Sequence, residues 1–425
     1  MKRFQPSGWP SIYAGKVEYE LFAVGITAIL LLNYVSWLIL PGSDLPSILI
    51  AVAVIAVISC LGRDVSQRRY LIPVAVAVGF LLLFFAPLTD GDARTIWFFH
   101  AKQMYFDGSI DARLDDYPGW AHTSYPDLVP AATASIARLF GVWNEFLPKT
   151  ALELTLVPPF LILISRCQSA RFRLLMLASL LYLTRTGLFS GSMDAHLALY
   201  AVSAIVLLRE CLGRQDKSGR SVAATAALVM LVALAGIKNE GTVMAALLLL
   251  PMAILLLRKP HHKARLAWQI AFGLLLSSPI LIWKLKLISA KITALFIGDP
   301  WARAASRLGD EGWMFIAQSL TAETGFALVM LAVLFTLTGK LERLTLYFIV
   351  GYLGILFFVY LSTPYDLAWH ISASVDRVTL VVKLLVAVIL ILESQRIVRV
   401  CQATTWAKSD PPQIGGDDQH ISRKG

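Results

Sequence analysis

The sequence predicts an all-α, polytopic membrane protein, and three observations carry that prediction. Hydrophobic residues make up 57% of the 425 residues and charged residues only 16%, where soluble domains hold about a quarter charged. The deficit is spread along most of the chain, and the mean hydropathy is positive. Apolar runs such as LFAVGITAILLLNYVSWLIL at 21–40 are long enough to cross a bilayer, which takes roughly 17–25 residues. Lipid offers backbone amides no partner, so such runs must be helical. A transmembrane barrel would need alternating strands of ~10 residues, and these runs do not alternate.

About twelve spans are expected from runs of that length. They fall near 21–40, 46–61, 71–88, 148–165, 172–189, 194–209, 221–237, 241–257, 267–283, 313–337, 345–362 and 378–395. The first run exceeds the h-region of a secretory signal and lacks an A-x-A-like site, so it is expected to stay in the membrane. No internal repeat is evident. The polar, Pro- and Gly-bearing tail, 396–425, is expected to be disordered and cytoplasmic.

The net charge of +10 does not mark a nucleic-acid partner, because the basic residues gather in short loops between apolar runs. Arg63, Arg68 and Arg69, then Arg166, Arg171 and Arg173, then Arg209, Arg214, Lys217 and Arg220 are such groups. Loops dense in Lys and Arg stay inside, which puts both termini in the cytoplasm and the long segments 89–147 and 284–312 outside. Cys60, Cys167, Cys211 and Cys401 then all fall on the inner side, where a reducing compartment keeps thiols free.

The first external segment opens with two carboxylates, Asp90 and Asp92. A helix follows with Ile96, Phe99, Gln103 and Phe106 on one stripe and Gly108 as its stop. A second helix is expected from near Pro130 to Gly141, with Ile136, Leu139 and Phe140 toward one side. Both are expected to lie along the bilayer surface as amphipathic juxtamembrane helices. Asp90 or Asp92 can cap the first. Alternatively Asp92 is a carboxylate kept at the interface for chemistry, where ionisable groups are costly.

Five stretches, in order, resemble segments of bacterial membrane glycosyltransferases of the GT-C type, relatives of the protein O-mannosyltransferases and aminoarabinose transferases. GDARTIWFFHAKQMY resembles their first external loop, with Asp92, Trp97, Ala101 and Lys102 at the matching positions. SYPDLVP at 124–130 carries Tyr125, MDAHLALY at 193–200 carries Asp194, and IKNEG at 237–241 carries Lys238 and Glu240. PYDLAWHISASVDRVTL at 364–380 carries His370, Asp376 and Arg377. The chain is expected to depart from the family in placing this loop after its third span instead of its first, and in not carrying the large soluble C-terminal domain of some members. The resemblance implies a catalytic unit over 71–395, preceded by an N-terminal unit, 1–70, with two additional helices.

The resemblance also implies a sugar donor carried on a polyprenyl phosphate and a glycan, lipid or protein acceptor, with Asp92 as general base and Asp90 as the fallback. A departing phosphate needs an external cation at headgroup depth. Lys238 and Arg377 suit it, as do Arg303 and Arg307, four apart in GDPWARAASRLGDEGW. Each could equally be a snorkelling side chain at a span end. Lys102 can pair with a nearby carboxylate, Glu240 can orient Lys238, and Asp194 can simply cap its helix. His370 near Asp376 gains no further histidine, and His100 and His122 are scattered, so no cofactor or metal site is expected. Neither a P-loop nor a GxGxxG motif occurs, which argues against an ATP-driven pump. A multi-span transporter or lipid-linked sugar flippase is the alternative, and a glycan polymerase or ligase of the same superfamily is a third. The polar residues gather at outer helix ends, which favours interfacial chemistry over a midplane pathway.

Overall fold

The computed structural model describes residues 9–66, 79, 90–188, 190–213, 217–257, 263–292, 299–338 and 343–409. It is 85% helix, with no strand among the described residues. The helices in chain order are α1 (Trp9–Ile39), α2 (Leu45–Ser66), α3 (Phe98–Asp107), α4 (Leu128–Phe140), α5 (Thr150–Ser165), α6 (Ala170–Thr184) and α7 (Met193–Gly213). They continue with α8 (Lys217–Ile237), α9 (Asn239–Leu257), α10 (Lys263–Ser289), α11 (Pro300–Gly309), α12 (Gly312–Thr338), α13 (Arg343–Ser362) and α14 (Leu367–Ser409).

Helix occupies each expected span except 71–88, which apart from Gly79 lies outside the described residues. Among the described residues, five stretches are long and apolar enough to cross a membrane: Tyr19–Ile39, Met193–Leu212, Gly219–Ile237, Gly312–Thr338 and Arg343–Ser362. Leu45–Cys60, Thr150–Ser165 and Asn239–Ile254 are shorter apolar helices. Composition and helices together mark a membrane protein.

The α7–α8 hairpin forms the centre, with α1, α5, α9 and α14 packed around it. α5 carries Pro158 and Pro159, which supply no N–H to the helix. The Thr155 carbonyl would ordinarily bond the amide that Pro159 lacks. Tyr200 of α7 donates its hydroxyl to that carbonyl instead (2.8 Å). In a setting without water, this removes an orphaned acceptor that would cost free energy. At the far end of the bundle, buried Arg166 pairs with Glu20 (2.5 Å) and Glu210 (3.1 Å). Gln395 of α14 closes this corner, donating to the Arg166 carbonyl (3.1 Å) and accepting from the Gln168 amide (2.7 Å).

Three sequence expectations need correction. The helix after Asp92 opens with a π turn, Ala93–Trp97, before α3. That turn holds more residues than a period of 3.6 allows for. The buried face is therefore Ala93, Trp97, Ala101 and Met104 with Ile96, whereas Phe106 is exposed. α4 is not a surface helix: every residue from Leu128 to Ala137 is buried, while Leu139 and Phe140 face outward. The run AATASIA explains it, because small side chains let helices approach closely. Ser135 there accepts from both Asn33 and Trp37 of α1, each at 2.8 Å. Finally, α14 continues to Ser409, so the expected tail begins as helix; residues 410–425 lie outside the described residues. Gly108 and Gly141 end α3 and α4 with φ of 69° and 68°, the left-handed conformation that glycine adopts freely.

Candidate functional site

Asp90 and Asp92 divide the two roles the sequence left open. Asp90 accepts a hydrogen bond from the Asp92 amide (2.8 Å), which is a cap's task. Burial, then the charge of Asp92, holds the Asp90 carboxyl above its ordinary value. The Asp92 side chain makes no capping bond. It accepts instead from Arg377 Nη1 at 2.7 Å.

From Arg377 the cluster runs inward. Arg377 Nε lies 3.7 Å from Asp194 Oδ2, and Lys238 Nζ donates to Asp194 Oδ1 at 3.1 Å. Ser192 donates to the second Asp194 oxygen (3.2 Å). Lys238 also pairs with Glu240 Oε1 at 3.2 Å. Residues two apart on one helix would not meet; they do here because α8 ends at Ile237 and α9 starts at Asn239. Gly241 is what allows that corner. A Cβ there would collide with the Leu234 carbonyl and lie 2.8 Å from Leu197 Cδ2.

Above Lys238 sits an aromatic stack. Trp97 and Tyr125 are parallel with centroids 5.4 Å apart, and His122 also stacks on Tyr125 at 5.1 Å. Lys238 Nζ stands 5.7 Å from the Tyr125 centroid, within reach of a cation–π attraction. Burial pushes the His122 imidazole below its ordinary value, so it is neutral at pH 7. The charged cluster borders a narrow, open cleft lined by Asp194, Glu240 and Arg377, with Met244, Tyr352 and Val381 among its other walls.

The structure thus brings together Asp90, Asp92, Trp97, Tyr125, Asp194, Lys238, Glu240 and Arg377. Five other candidates stand apart. Lys102 is exposed on α3 and makes no ion pair among the described residues. Asp376 pairs with Lys383 (2.7 Å), which also holds Glu323 (2.5 Å). Adjacent helical positions point about 100° apart, which is why Arg377 faces the cluster and Asp376 does not. Arg303 donates to the Ser362 carbonyl (2.8 Å), and Arg307 to those of Tyr360 and Leu361 (2.8 and 3.0 Å) and of Tyr365 (3.0 Å). Both therefore satisfy the open carbonyls at the end of α13. His370 packs edge-on against Tyr360 and Tyr365; burial, then Arg307, depresses its imidazole.

Sequence reasoning passed over His122, Asn239 and Tyr352. Asn239 links the loop to α10, contacting Ser124 (3.4 Å) and accepting from Lys284 (2.8 Å). Only the IKNEG stretch hinted at Asn239. His100 faces Asp127 at 2.6 Å and the Ala121 carbonyl at 2.9 Å, which pins the first loop to itself. Among the described residues, no three His, Cys, Asp or Glu side chains gather as a metal ion would require. What the arrangement offers chemically is a half-exposed carboxylate, Asp92, paired with one cation, Arg377, that also lines the largely apolar cleft, and a second cation, Lys238, in the same cluster. No family model, curated protein or solved structure matches this chain.

Proposed function

We propose that this chain is an integral-membrane glycosyltransferase of the GT-C type, moving a sugar from a polyprenyl-phosphate donor to an acceptor hydroxyl. The observation that carries the reading is Asp92. It is relieved of capping by Asp90 and set 2.7 Å from Arg377, so a base and a phosphate-binding cation stand side by side. The donor class comes from the motif resemblance, and the acceptor is a glycan, lipid or protein. In the reaction the acceptor oxygen bonds to the anomeric carbon while the carbon–oxygen bond to phosphate breaks. The polyprenyl phosphate leaves with the electron pair, and the acceptor proton passes to the Asp92 carboxylate. Arg377 steadies the developing phosphate charge, with Lys238 behind it. The incoming phosphate competes with Asp92 for Arg377, so donor binding loosens the pair that otherwise occupies the base.

The charge pattern of the loops supports about twelve spans, cytoplasmic termini, and a site on the outer face of a bacterial inner membrane. Purified protein mixed with polyprenyl-phosphate sugars and an acceptor panel tests the proposal. Transfer by the wild type that is lost in Asp92→Asn supports it. No transfer with any donor, combined with uptake or flipping of a lipid-linked sugar in vesicles, replaces it with the transporter reading. Transfer of preassembled glycans alone points to a polymerase or ligase.

A further inference from the structure

Four buried polar atoms around the cluster have no hydrogen-bond partner among the described residues: Trp97 Nε1, His122 Nδ1, Glu240 Oε2 and Arg377 Nε. Unpaired buried polar groups are costly, and native proteins keep few. Two of the four sit on side chains that line the cleft, Glu240 and Arg377. They are of opposite kinds. Arg377 Nε can only donate, and Asp194 at 3.7 Å is too far to accept from it. Glu240 can only accept when ionised; Oε1 is engaged by Lys238, and Oε2 by nothing. Asp194, by contrast, has both oxygens engaged, by Lys238 and Ser192. The remaining wall is largely apolar, with Leu197, Ala198, Val378 and Val381, and supplies neither missing partner.

A ligand that completes this cleft therefore presents an oxygen acceptor to Arg377 and a hydrogen-bond donor to Glu240. We propose that Glu240 selects the sugar, its free carboxylate oxygen accepting from a hydroxyl of the carried sugar while the other stays on Lys238. This rests on reading the cleft as a polyprenyl-phosphate sugar site. Glu240 is thereby a specificity residue, and the proton transfer stays with Asp92.

Detergent-purified wild type and Glu240→Gln are compared for binding to polyprenyl-phosphate hexoses of one chain length, to analogues each lacking one hydroxyl, and to bare polyprenyl phosphate. The glutamine keeps the shape but puts an amide N–H₂ or a weaker acceptor where Oε2 stood. Wild type is expected to favour the sugar-bearing lipid over bare lipid and to lose about ten- to a hundredfold in affinity for one deoxy analogue. Glu240→Gln is expected to bind the parent hexose and that analogue equally, its affinity for bare polyprenyl phosphate changing far less than its affinity for the parent hexose. Glu240→Asp, which keeps the charge but shortens the reach, should give partial discrimination, and thermal unfolding checks that each variant is folded.

Equal weakening toward every lipid, bare lipid included, would mean that Glu240 acts only by holding Lys238 and would overturn the inference. So would a wild type with no preference among deoxy analogues, or one that binds none of these lipids. Discrimination without transfer to any acceptor would leave the inference standing and sink the transferase reading instead.

Discussion

Asp92 and Arg377 lie 285 positions apart and meet through a 2.7 Å hydrogen bond. One precedes the π turn that leads into α3 and the other lies near the start of α14. Neither partner is deeply buried, each side chain being 37% exposed, so the pair is accessible to a competing anion.

The two acids of the opening loop should separate cleanly by substitution. Asp92→Asn is expected to lower the transfer rate by about 10²–10⁴-fold, the range for losing a general base, with little change in thermal stability. Asp90→Asn, which still caps, should stay near wild type. Asp90→Ala should instead lower stability by about 1 kcal/mol. Rates and unfolding midpoints of the three proteins decide it, and full activity in Asp92→Asn would contradict the assignment.

Gly241→Ala should damage the site without touching a charged residue. The added methyl meets the Leu234 carbonyl, so the α8–α9 corner must shift. A cost of about 1–3 kcal/mol is expected from such overpacking. Because Lys238 and Glu240 sit in that corner, donor KM should rise with it. A variant with unchanged melting and KM would mean the corner is looser than the contact implies.

The Tyr200 hydroxyl and Pro159 should be thermodynamically coupled. Tyr200→Phe removes the donor to the Thr155 carbonyl and is expected to cost about 0.5–1.5 kcal/mol. In a Pro159→Ala background the helix regains its own amide for that carbonyl, and the same substitution should cost much less. Unfolding of the four proteins in one detergent closes the cycle; additive effects would show that the hydroxyl does not stand in for the missing amide.

Acid should loosen the first loop from α10. Burial alone would raise the Asp111 carboxyl, but hydrogen bonds from Lys286 and Ser109 outweigh it and hold the group below 3.8. A carboxylate depressed in the folded state stabilises above its unfolded pKa, and that contribution fades as pH falls through the folded value. The wild type should therefore lose stability relative to Asp111→Asn as pH drops below about 4. Hydrogen exchange over residues 108–118 at graded pH reads this directly, and identical acid profiles for the two proteins would refute it.

Much of the helical plan was legible, because apolar runs ended by charged loops state their own length. The motif stretches also pointed to side chains that converge: Asp92, Asp194 and Lys238 stand at or beside helix starts and ends, and Arg377 lies within α14. What stayed hidden depends on rotation and depth. Arg377 and Asp376 look interchangeable in sequence, yet one helical step sends them to different partners. Arg303 and Arg307 resemble phosphate ligands until the open carbonyls of α13 are seen to occupy them. The burial of α4 was hidden because its apolar side, Ile136, Leu139 and Phe140, reads as a surface helix while its small alanines are what let it pack inside, and the π turn before α3 breaks the period on which the expected stripe was built.

α14 runs 43 residues without interruption. Between Arg377 and Gln395 it rises about 27 Å, from the carboxylate cluster to the corner where Gln395 clasps Arg166 and Gln168. An unbroken helix has no soft joint along that length, so it works as a mast stepped at its far end. The height at which Arg377 meets Asp92 is set from the opposite side of the bundle, and a change of packing around Gln395 is a change of elevation at the cleft.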